Sequence, residues 1–159
     1  MPIEQVKAYF HAAGAGDRIL EFTESSATVE LAAKAVGCPP EHIAKTLSFL
    51  VSEQPVLIVV AGDARIDNQK YRAEFQTKAK MIPAECVEEL VGHAPGGVCP
   101  FAVREAVAVY LDISLKRFET VYPAAGSANS AVRLTIPELE KFSGCRKWVD
   151  VCKNWNVTL

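Results

Sequence analysis

The segment 92–101 restricts the backbone more than any other ten residues of the chain. It reads Gly-His-Ala-Pro-Gly-Gly-Val-Cys-Pro-Phe. The adjacent glycines Gly96 and Gly97 permit backbone angles that other residues avoid, and they let a ligand approach the main chain closely. Pro95 and Pro100 fix the geometry on either side. The pattern predicts a rigid loop whose amides can face a ligand, but an ordinary tight connection between a helix and a strand would use the same residues.

Length and composition favour a single globular domain over residues 1–159. Of the 159 residues, 50% are hydrophobic and 23% are charged, a composition that suits a hydrophobic core. A chain of this length can form one such core but is too short for two domains. The formal net charge of -2 argues against the simplest kind of nucleic-acid binder, a strongly basic chain. A local basic patch on a nearly neutral body remains compatible with this balance.

The sequence also favours a cytoplasmic protein that holds neither metal nor cofactor. The first four residues lack the basic start and long apolar run of a secretory signal, and the apolar run 56–61 is far too short to cross a bilayer. The five cysteines include no Cys-x-x-Cys pair, and the three histidines lack metal-ligand spacing. We therefore expect reduced thiols and no membrane span.

Periodicity and capping residues predict mixed helices and antiparallel hairpins, and hence an α+β domain. The expected helices begin near Ile3 and end at Gly14, run from the N-cap Thr28 to Gly37, follow Asp67, run from Pro83 to Gly92, and run from Thr135 through Phe142. The expected strands are 43–51, 56–61, 107–111, 119–124, 131–134 and 148–151, with turns at 53–55 and 126–130. If segment 92–101 is only a connection, a further strand begins near Val98.

Lys45 is the first candidate for a functional side chain. Strand alternation places it with Ile43, Leu47 and Phe49 on the more apolar face of strand 43–51. An ammonium on such a face is costly unless it is paired or hydrated, so it implies a ligand cavity or an anionic partner. A lysine that snorkels at a strand end or guards a sheet edge would fit the same pattern. In a cavity, Lys45 could bind phosphate, hold a carbonyl oxygen or act as a base.

Cys99 and His93 lie in the same segment and invite comparison with a Cys-His nucleophile pair. No third group that would orient the histidine can be identified, so a packed or pocket-lining thiol is the favoured interpretation.

A basic patch precedes the glycine-rich segment, with Tyr71 and Phe75 among its charges. It could contact phosphates, although a run of charges is more often the solvated face of a helix. The patch consists of Arg65, Lys70, Arg72, Lys78 and Lys80.

Several short motifs, distributed over most of the chain, form a recognisable set. They are Thr28-Val29-Glu30-Leu31-Ala32-Ala33, Ile43-Ala44-Lys45-Thr46-Leu47, Ala61-Gly62-Asp63, Gly96-Gly97-Val98-Cys99-Pro100-Phe101, Val109-Tyr110-Leu111-Asp112 and Val121-Tyr122-Pro123-Ala124-Ala125-Gly126-Ser127. Together they resemble the YbaK/EbsC family of aminoacyl-tRNA deacylases, which are related to the editing insertion of bacterial prolyl-tRNA synthetases. We accordingly expect a curved, mixed, mostly antiparallel sheet that is partly closed like a barrel, with helices packed outside.

The resemblance implies hydrolysis, in trans, of the ester between a wrong amino acid and the terminal ribose of tRNA. Lys45 matches the family's functional lysine, and Gly97-Val98-Cys99-Pro100 matches its Gly-x-x-Pro motif. The implied partner is a misacylated tRNA, with tRNA(Pro) carrying a small wrong amino acid favoured, and a prolyl-tRNA synthetase or an elongation factor could deliver it. The implied catalytic residues are Lys45 and Gly97, and the substrate-binding candidates are Phe22, Thr46, Gly96, Val98, Cys99, Pro100, Gly126 and Ser127.

Three positions depart from the pattern. Phe22 and Ala131 stand where some members, including the cysteinyl-tRNA deacylases, have tyrosine and aspartate, and Ala102 replaces a frequent glycine. These departures keep the reaction class but put a preference for cysteine in doubt. Two other functions remain open: a module that binds a tRNA end, nucleotide or amino acid without turnover, and a hydrolase that depends on Cys99.

Overall fold

The computed structural model describes residues 2–155, which form helices and a mixed sheet. The helices are α1 (Pro2–Ala12), α2 (Val29–Val36), α3 (Asn68–Phe75), α4 (Ala84–Val91) and α5 (Ile136–Ser143). The strands are β1 (Ile19–Glu21), β2 (Ile43–Val51), β3 (Gln54–Ala61), β4 (Arg65–Ile66), β5 (Ala108–Asp112), β6 (Thr120–Pro123), β7 (Ser130–Val132), β8 (Leu134–Thr135), β9 (Trp148–Val149) and β10 (Cys152–Lys153).

The main sheet has the strand order β8-β6-β2-β3-β5-β9 and is curled like half a barrel. Its centre is the β2–β3 hairpin, which pairs the predicted strands 43–51 and 56–61 antiparallel. Ser52 and Glu53 both adopt positive φ angles of 49° and 66°, so two residues close the turn and β3 begins at Gln54, earlier than expected. Among the described pairings, four are antiparallel and three are parallel. The predicted α+β architecture with a curved, mixed, partly closed sheet is confirmed, although three of the five pairings within the main sheet are parallel.

Local capping bonds start the helices where the sequence predicts them. The Thr28 side chain accepts a hydrogen bond from the Leu31 amide, and Asp67 accepts from the amides of the first turn of α3. Thr135 and Glu138 form the predicted capping box at α5. Each such N-cap contributes about 1 kcal/mol to the stability of its helix. At its other end, α2 stops at Gly37, which adopts a left-handed conformation.

The sequence predicts a second hairpin, in which strands 119–124 and 131–134 pair through the turn 126–130, and its strand partners are wrong. The expected strand 131–134 is split: β7 pairs antiparallel with β1 through Ile19↔Val132, and only β8 returns to β6. The reason is geometrical, because a sheet edge accepts one neighbour and the chain changes sheets at Arg133, whose amide donates to the Arg18 carbonyl. The strand suggested near Val98 is also absent from the described residues, since the chain stays irregular up to β5.

The predicted strand 148–151 is likewise interrupted. β9 ends at Val149, and a new strand, β10, pairs with β4. Between them, the Val151 amide donates to the buried Asp112 carboxylate at 2.9 Å, and the Val151 carbonyl accepts from the Asp67 amide. This carboxylate therefore fixes the path of the last described segment.

An aromatic cluster secures the end of the glycine-rich segment. Phe10 of α1 packs edge-on against Phe101 with 4.9 Å between ring centroids, and Phe142 of α5 lies 5.0 Å from Phe10. All three side chains are buried.

None of the helices within residues 2–155 combines the length and apolarity that a bilayer crossing would need.

Candidate functional site

A cavity of about 280 Å³ lies between β2, the start of α2, the glycine-rich segment and the turn before β7. Its walls are mostly small or apolar, which suits a small organic group better than a large ligand. The lining residues are Ser26, Ala27, Thr28, Val29, Ala32, Ile43, Ala44, Lys45, Thr46, Leu47, Gly96, Val98, Tyr122, Ala124, Ser130 and Ala131.

The cavity fills a gap along one edge of β2. β6 pairs with β2 only at Ile43 and Ala44. Farther along the strand, the same edge is taken by residues 80–82, which bond to the Ser48 carbonyl and the Leu50 amide. Backbone groups of alternate residues point to the same side of a strand, so the amide and carbonyl of Thr46 point into the gap. The site therefore offers a ligand an open stretch of main chain.

Thr46 also contributes an unpartnered hydroxyl. Its Oγ1 is buried and has no hydrogen-bond partner within the described residues. A buried hydroxyl without a partner carries a desolvation cost, which a ligand that bonds to it would relieve. Together with its main chain, this side chain gives the cavity a fixed polar point beside Lys45.

Lys45 is the one charged side chain among the described residues that line the cavity. It is half-buried, and it forms no ion pair within residues 2–155. Burial lowers the pKa of the Lys45 ammonium, and the positive charge of Arg65 lowers it further, while Cys152, Asp63 and Glu30 act in the opposite direction. The arrangement leaves an uncompensated cation facing a small, largely apolar space.

The two central glycines of segment 92–101 have different positions. Gly96 has φ +90° and lies on the cavity wall between Ala27 and Ala128. Gly97 is buried against the following turn: a Cβ there would lie only 2.7 Å from the Ser127 amide nitrogen. The absence of a side chain at Gly97 therefore lets the segment and the turn touch, and does not itself widen the cavity.

His93 and Cys99 meet behind the cavity wall. Both are fully buried, with the Cys99 Sγ 3.5 Å from the His93 Nε2. That nitrogen lies 2.7 Å from the Phe101 carbonyl oxygen, to which it donates, while His93 Nδ1 has no partner among the described residues. Burial raises the pKa of the Cys99 thiol to about 12. The contact with His93 holds the segment in place. Burial keeps the Cys99 thiol protonated, and Cys99 is not among the residues that line the cavity.

The structure brings four of the sequence-derived candidates together on the cavity wall, and the functional roles of all of them remain predictions. The four are Lys45, Thr46, Gly96 and Val98. The others, Phe22, Gly97, Cys99, Pro100, Gly126 and Ser127, are not among the lining residues.

Three of the candidates outside the lining, Phe22, Gly126 and Ser127, belong to the turn 126–130 or bond to it. The Phe22 amide donates to the Asn129 carbonyl, and the Asn129 side-chain amide donates to the Phe22 carbonyl. Gly126 has φ +95° and packs closely against Ile3 of α1. Ser127 shares a 2.7 Å hydrogen bond with the Ser130 hydroxyl. These residues position the turn that bears the lining residue Ser130.

Sequence reasoning missed much of the opposite wall. Ser26 and Ala27 precede the N-cap of α2 in a segment without regular structure, and no motif marks them as lining residues. Tyr122 and Ala124 became lining residues because β6 stops pairing with β2 at Ala44. Tyr122 and Ala124 lie within the motif 121–127 that carries the resemblance, and Ala131 is a departure from the family pattern, but no signal singled out any of the three as a lining residue.

Comparisons with known proteins agree with one another. The model of the aminoacyl-tRNA editing domain matches residues 23–142. YwhH, an uncharacterized protein of Bacillus subtilis (strain 168), is 49% identical over 156 residues, covering 98% of this chain and 99% of that protein. A proline–tRNA ligase of Aquifex aeolicus (strain VF5) is 32% identical over 90 residues, which are 55% of this chain but 16% of the ligase.

A solved structure extends this similarity to three dimensions. A protein described as a candidate trans-editing enzyme for prolyl tRNA synthetase superimposes with a TM-score of 0.85 at 29% identity, covering 96% of this chain and 97% of that one. The domain match includes β2 with Lys45, the glycine-rich segment and the turn before β7. The chain therefore belongs to the family of aminoacyl-tRNA editing domains.

Proposed function

We propose that this protein is a trans-editing hydrolase that removes a small, wrong amino acid from misacylated tRNA, with tRNA(Pro) the favoured substrate. The observation that carries the proposal is Lys45, the one cation among the described lining residues of a small cavity, in a chain of the editing family. The similarity to a proline–tRNA ligase supports the choice of tRNA.

The cavity offers groups suited to ester hydrolysis. Water attacks the ester carbonyl, negative charge develops on its oxygen, and the bond to the ribose oxygen breaks, which leaves a free amino acid and a free ribose hydroxyl. The Lys45 ammonium and the Thr46 amide can stabilise that charge, and loss of one such donor costs about 3 kcal/mol in comparable sites.

Proton transfer in this proposal falls to water and to the neighbouring ribose hydroxyl of the substrate. The described lining contains no Asp, Glu, His or Cys side chain that could act as a general base. Lys45 is the one amine there, and it serves better as a cation that holds the carbonyl oxygen or the terminal phosphate than as a nucleophile. This assignment makes positioning, rather than a protein nucleophile, the source of the rate.

The cavity accommodates a small acyl group. At about 280 Å³, with Ala32, Val98 and Ala131 in its wall, it suits alanine, serine, threonine, cysteine or 2-aminobutyrate. One methylene or hydroxyl changes binding in such a pocket by about 1–3 kcal/mol, so we expect graded preferences among these groups. A prolyl-tRNA synthetase or an elongation factor is the proposed delivering partner.

The test measures release of amino acid from tRNA(Pro) charged separately with cysteine, alanine, serine and 2-aminobutyrate. We expect release of one or two of them by the wild-type protein and loss of release in Lys45→Ala. A wild-type protein that binds these tRNAs and hydrolyses none of them would contradict the proposal and favour a binding module. Equal release by Lys45→Ala would also contradict it.

A further inference from the structure

Two positive charges lie directly opposite each other in the small β4–β10 sheet. Arg65 and Lys153 are register partners, and both are exposed. Like charges at directly opposed positions of an antiparallel pair are destabilising. The fold nevertheless holds them there, because β10 is fixed by the bonds between Val151 and its neighbours Asp67 and Asp112.

The acidic residues around this pair are already engaged. Asp63 forms a two-pronged ion pair with Arg117, with contacts of 2.6 and 3.0 Å. Asp150 pairs with Lys70 at 3.1 Å, and Asp67 caps α3. Within residues 2–155, neither Arg65 nor Lys153 forms an ion pair. Their charge is therefore available to an external anion.

The pair lies on the Lys45 side of the cavity. The turn between β3 and β4 packs so closely on the cavity wall that a Cβ at Gly62 would lie 2.9 Å from Val29 Cγ1. Arg65 is close enough to Lys45 for its positive charge to lower the pKa of the Lys45 ammonium. This places the β4–β10 pair on a path that a nucleic-acid strand can follow when its end enters the cavity.

We propose that Arg65 and Lys153 together hold a backbone phosphate of the RNA whose acylated end occupies the cavity. The identity of the occupant rests on the proposed function. Opposed residues of a strand pair have Cβ atoms about 4.5–5.5 Å apart, so their side chains can converge on one phosphate. The arginine supplies a planar fork for two phosphate oxygens, and the lysine supplies a point charge.

The experiment measures binding of uncharged tRNA(Pro) by fluorescence anisotropy, at several salt concentrations. The variants are Arg65→Glu and Lys153→Glu, with Lys141→Glu as the control because Lys141 is an exposed cation on α5. We expect each test variant to weaken binding at least tenfold and the control to change it less than twofold. The slope of log affinity against log salt should fall by about 0.7–0.9 per lost phosphate contact.

Stability separates a binding role from a structural one. Arg65→Glu places opposite charges across the strand pair, so its unfolding midpoint should equal or exceed that of the wild-type protein. Weaker binding at an unchanged or higher midpoint supports the inference. Unchanged binding, or a loss that accompanies a lower midpoint, overturns it.

The binding experiment also tests the phosphate contact separately from the proposed hydrolysis. Binding of uncharged tRNA needs no turnover, so loss of binding in Arg65→Glu would support this inference even if the wild-type protein hydrolysed no ester. Conversely, a wild-type protein that hydrolyses charged tRNA with the same KM as Arg65→Glu would retain the function and refute the phosphate contact.

Discussion

Lys45 and Cys99 are the two candidate side chains whose chemistry could carry a reaction, and they differ in exposure to the cavity and in the cause and direction of their pKa shifts. Lys45 faces the cavity and remains without a counterion among the described residues. Cys99 is fully buried, and its pKa of about 12 keeps the thiol protonated near neutral pH. A protonated, enclosed thiol is a poor nucleophile. The residue scale therefore favours a mechanism built on charge and positioning.

This difference predicts that Cys99→Ala retains deacylation. We expect its kcat/KM to stay within about threefold of the wild-type value, because the lost sulfur lies against His93 and the Phe101 carbonyl and Cys99 does not line the cavity. Treatment of the folded wild-type protein with iodoacetamide should likewise leave its activity unchanged. Inactivation by the reagent that Cys99→Ala prevents would instead support a cysteine-dependent hydrolase.

At the residue scale, the sequence predicted some of the features of the site and not others. Lys45 stood out because a cation on an apolar strand face needs a reason, and the structure gives it a cavity. Thr46 gained its open main chain from the point at which β6 stops pairing, which no local pattern reveals. The opposition of Arg65 and Lys153 was equally hidden, because β4 and β10 are far apart in the sequence.

At the scale of elements, the glycine-rich segment combines a buried anchor with a strained exit. His93 ties it to the Phe101 carbonyl, and Phe101 packs on Phe10. The next residue, Ala102, has φ +52°, a left-handed conformation that favours glycine. This position is one where the chain departs from the family pattern, so the departure carries a conformational cost.

Ala102→Gly should therefore stabilise the protein. A left-handed conformation costs a non-glycine residue about 1–2 kcal/mol, and the extra freedom of glycine in the unfolded chain takes back about 0.5–1 kcal/mol. We expect a net gain of about 0.5–1 kcal/mol in the free energy of unfolding, measured by urea titration. Equal or lower stability would show that the conformation at Ala102 is not strained.

Helix boundaries were predictable because their signals are local. Thr28, Asp67 and Thr135 each bond to amides two or three residues away, so the sequence contains the whole interaction. Strand partners were not, because β7 chooses between β6 beside it and β1 more than a hundred residues earlier. That choice depends on how the whole sheet closes, and it also shapes the wall that bears Ser130 and Ala131.

At the scale of the whole molecule, the cavity is a place where sheet pairing is left incomplete around a half-buried charge. Burial is the main cause of the lowered pKa of Lys45, so the folded state bears a cost for this charge at neutral pH. The sign follows from the lowered value: the cost is fully present below the folded pKa and disappears only as the pH rises through it towards the ordinary lysine value of 10.5. The molecule keeps a destabilising lysine, as expected for a functional group.

Lys45→Met tests this central claim most directly, because activity and stability should move in opposite directions. The measurement is the single-turnover rate of amino-acid release from a charged tRNA(Pro) that the wild-type protein hydrolyses, with the unfolding midpoint of each protein recorded at neutral pH. We predict a rate about 10²–10³ lower and an equal or higher midpoint, since the variant removes a half-buried charge that stabilises the transition state and destabilises the fold. A rate within threefold of the wild-type value would contradict the account, because Lys45 would then have no part in the reaction.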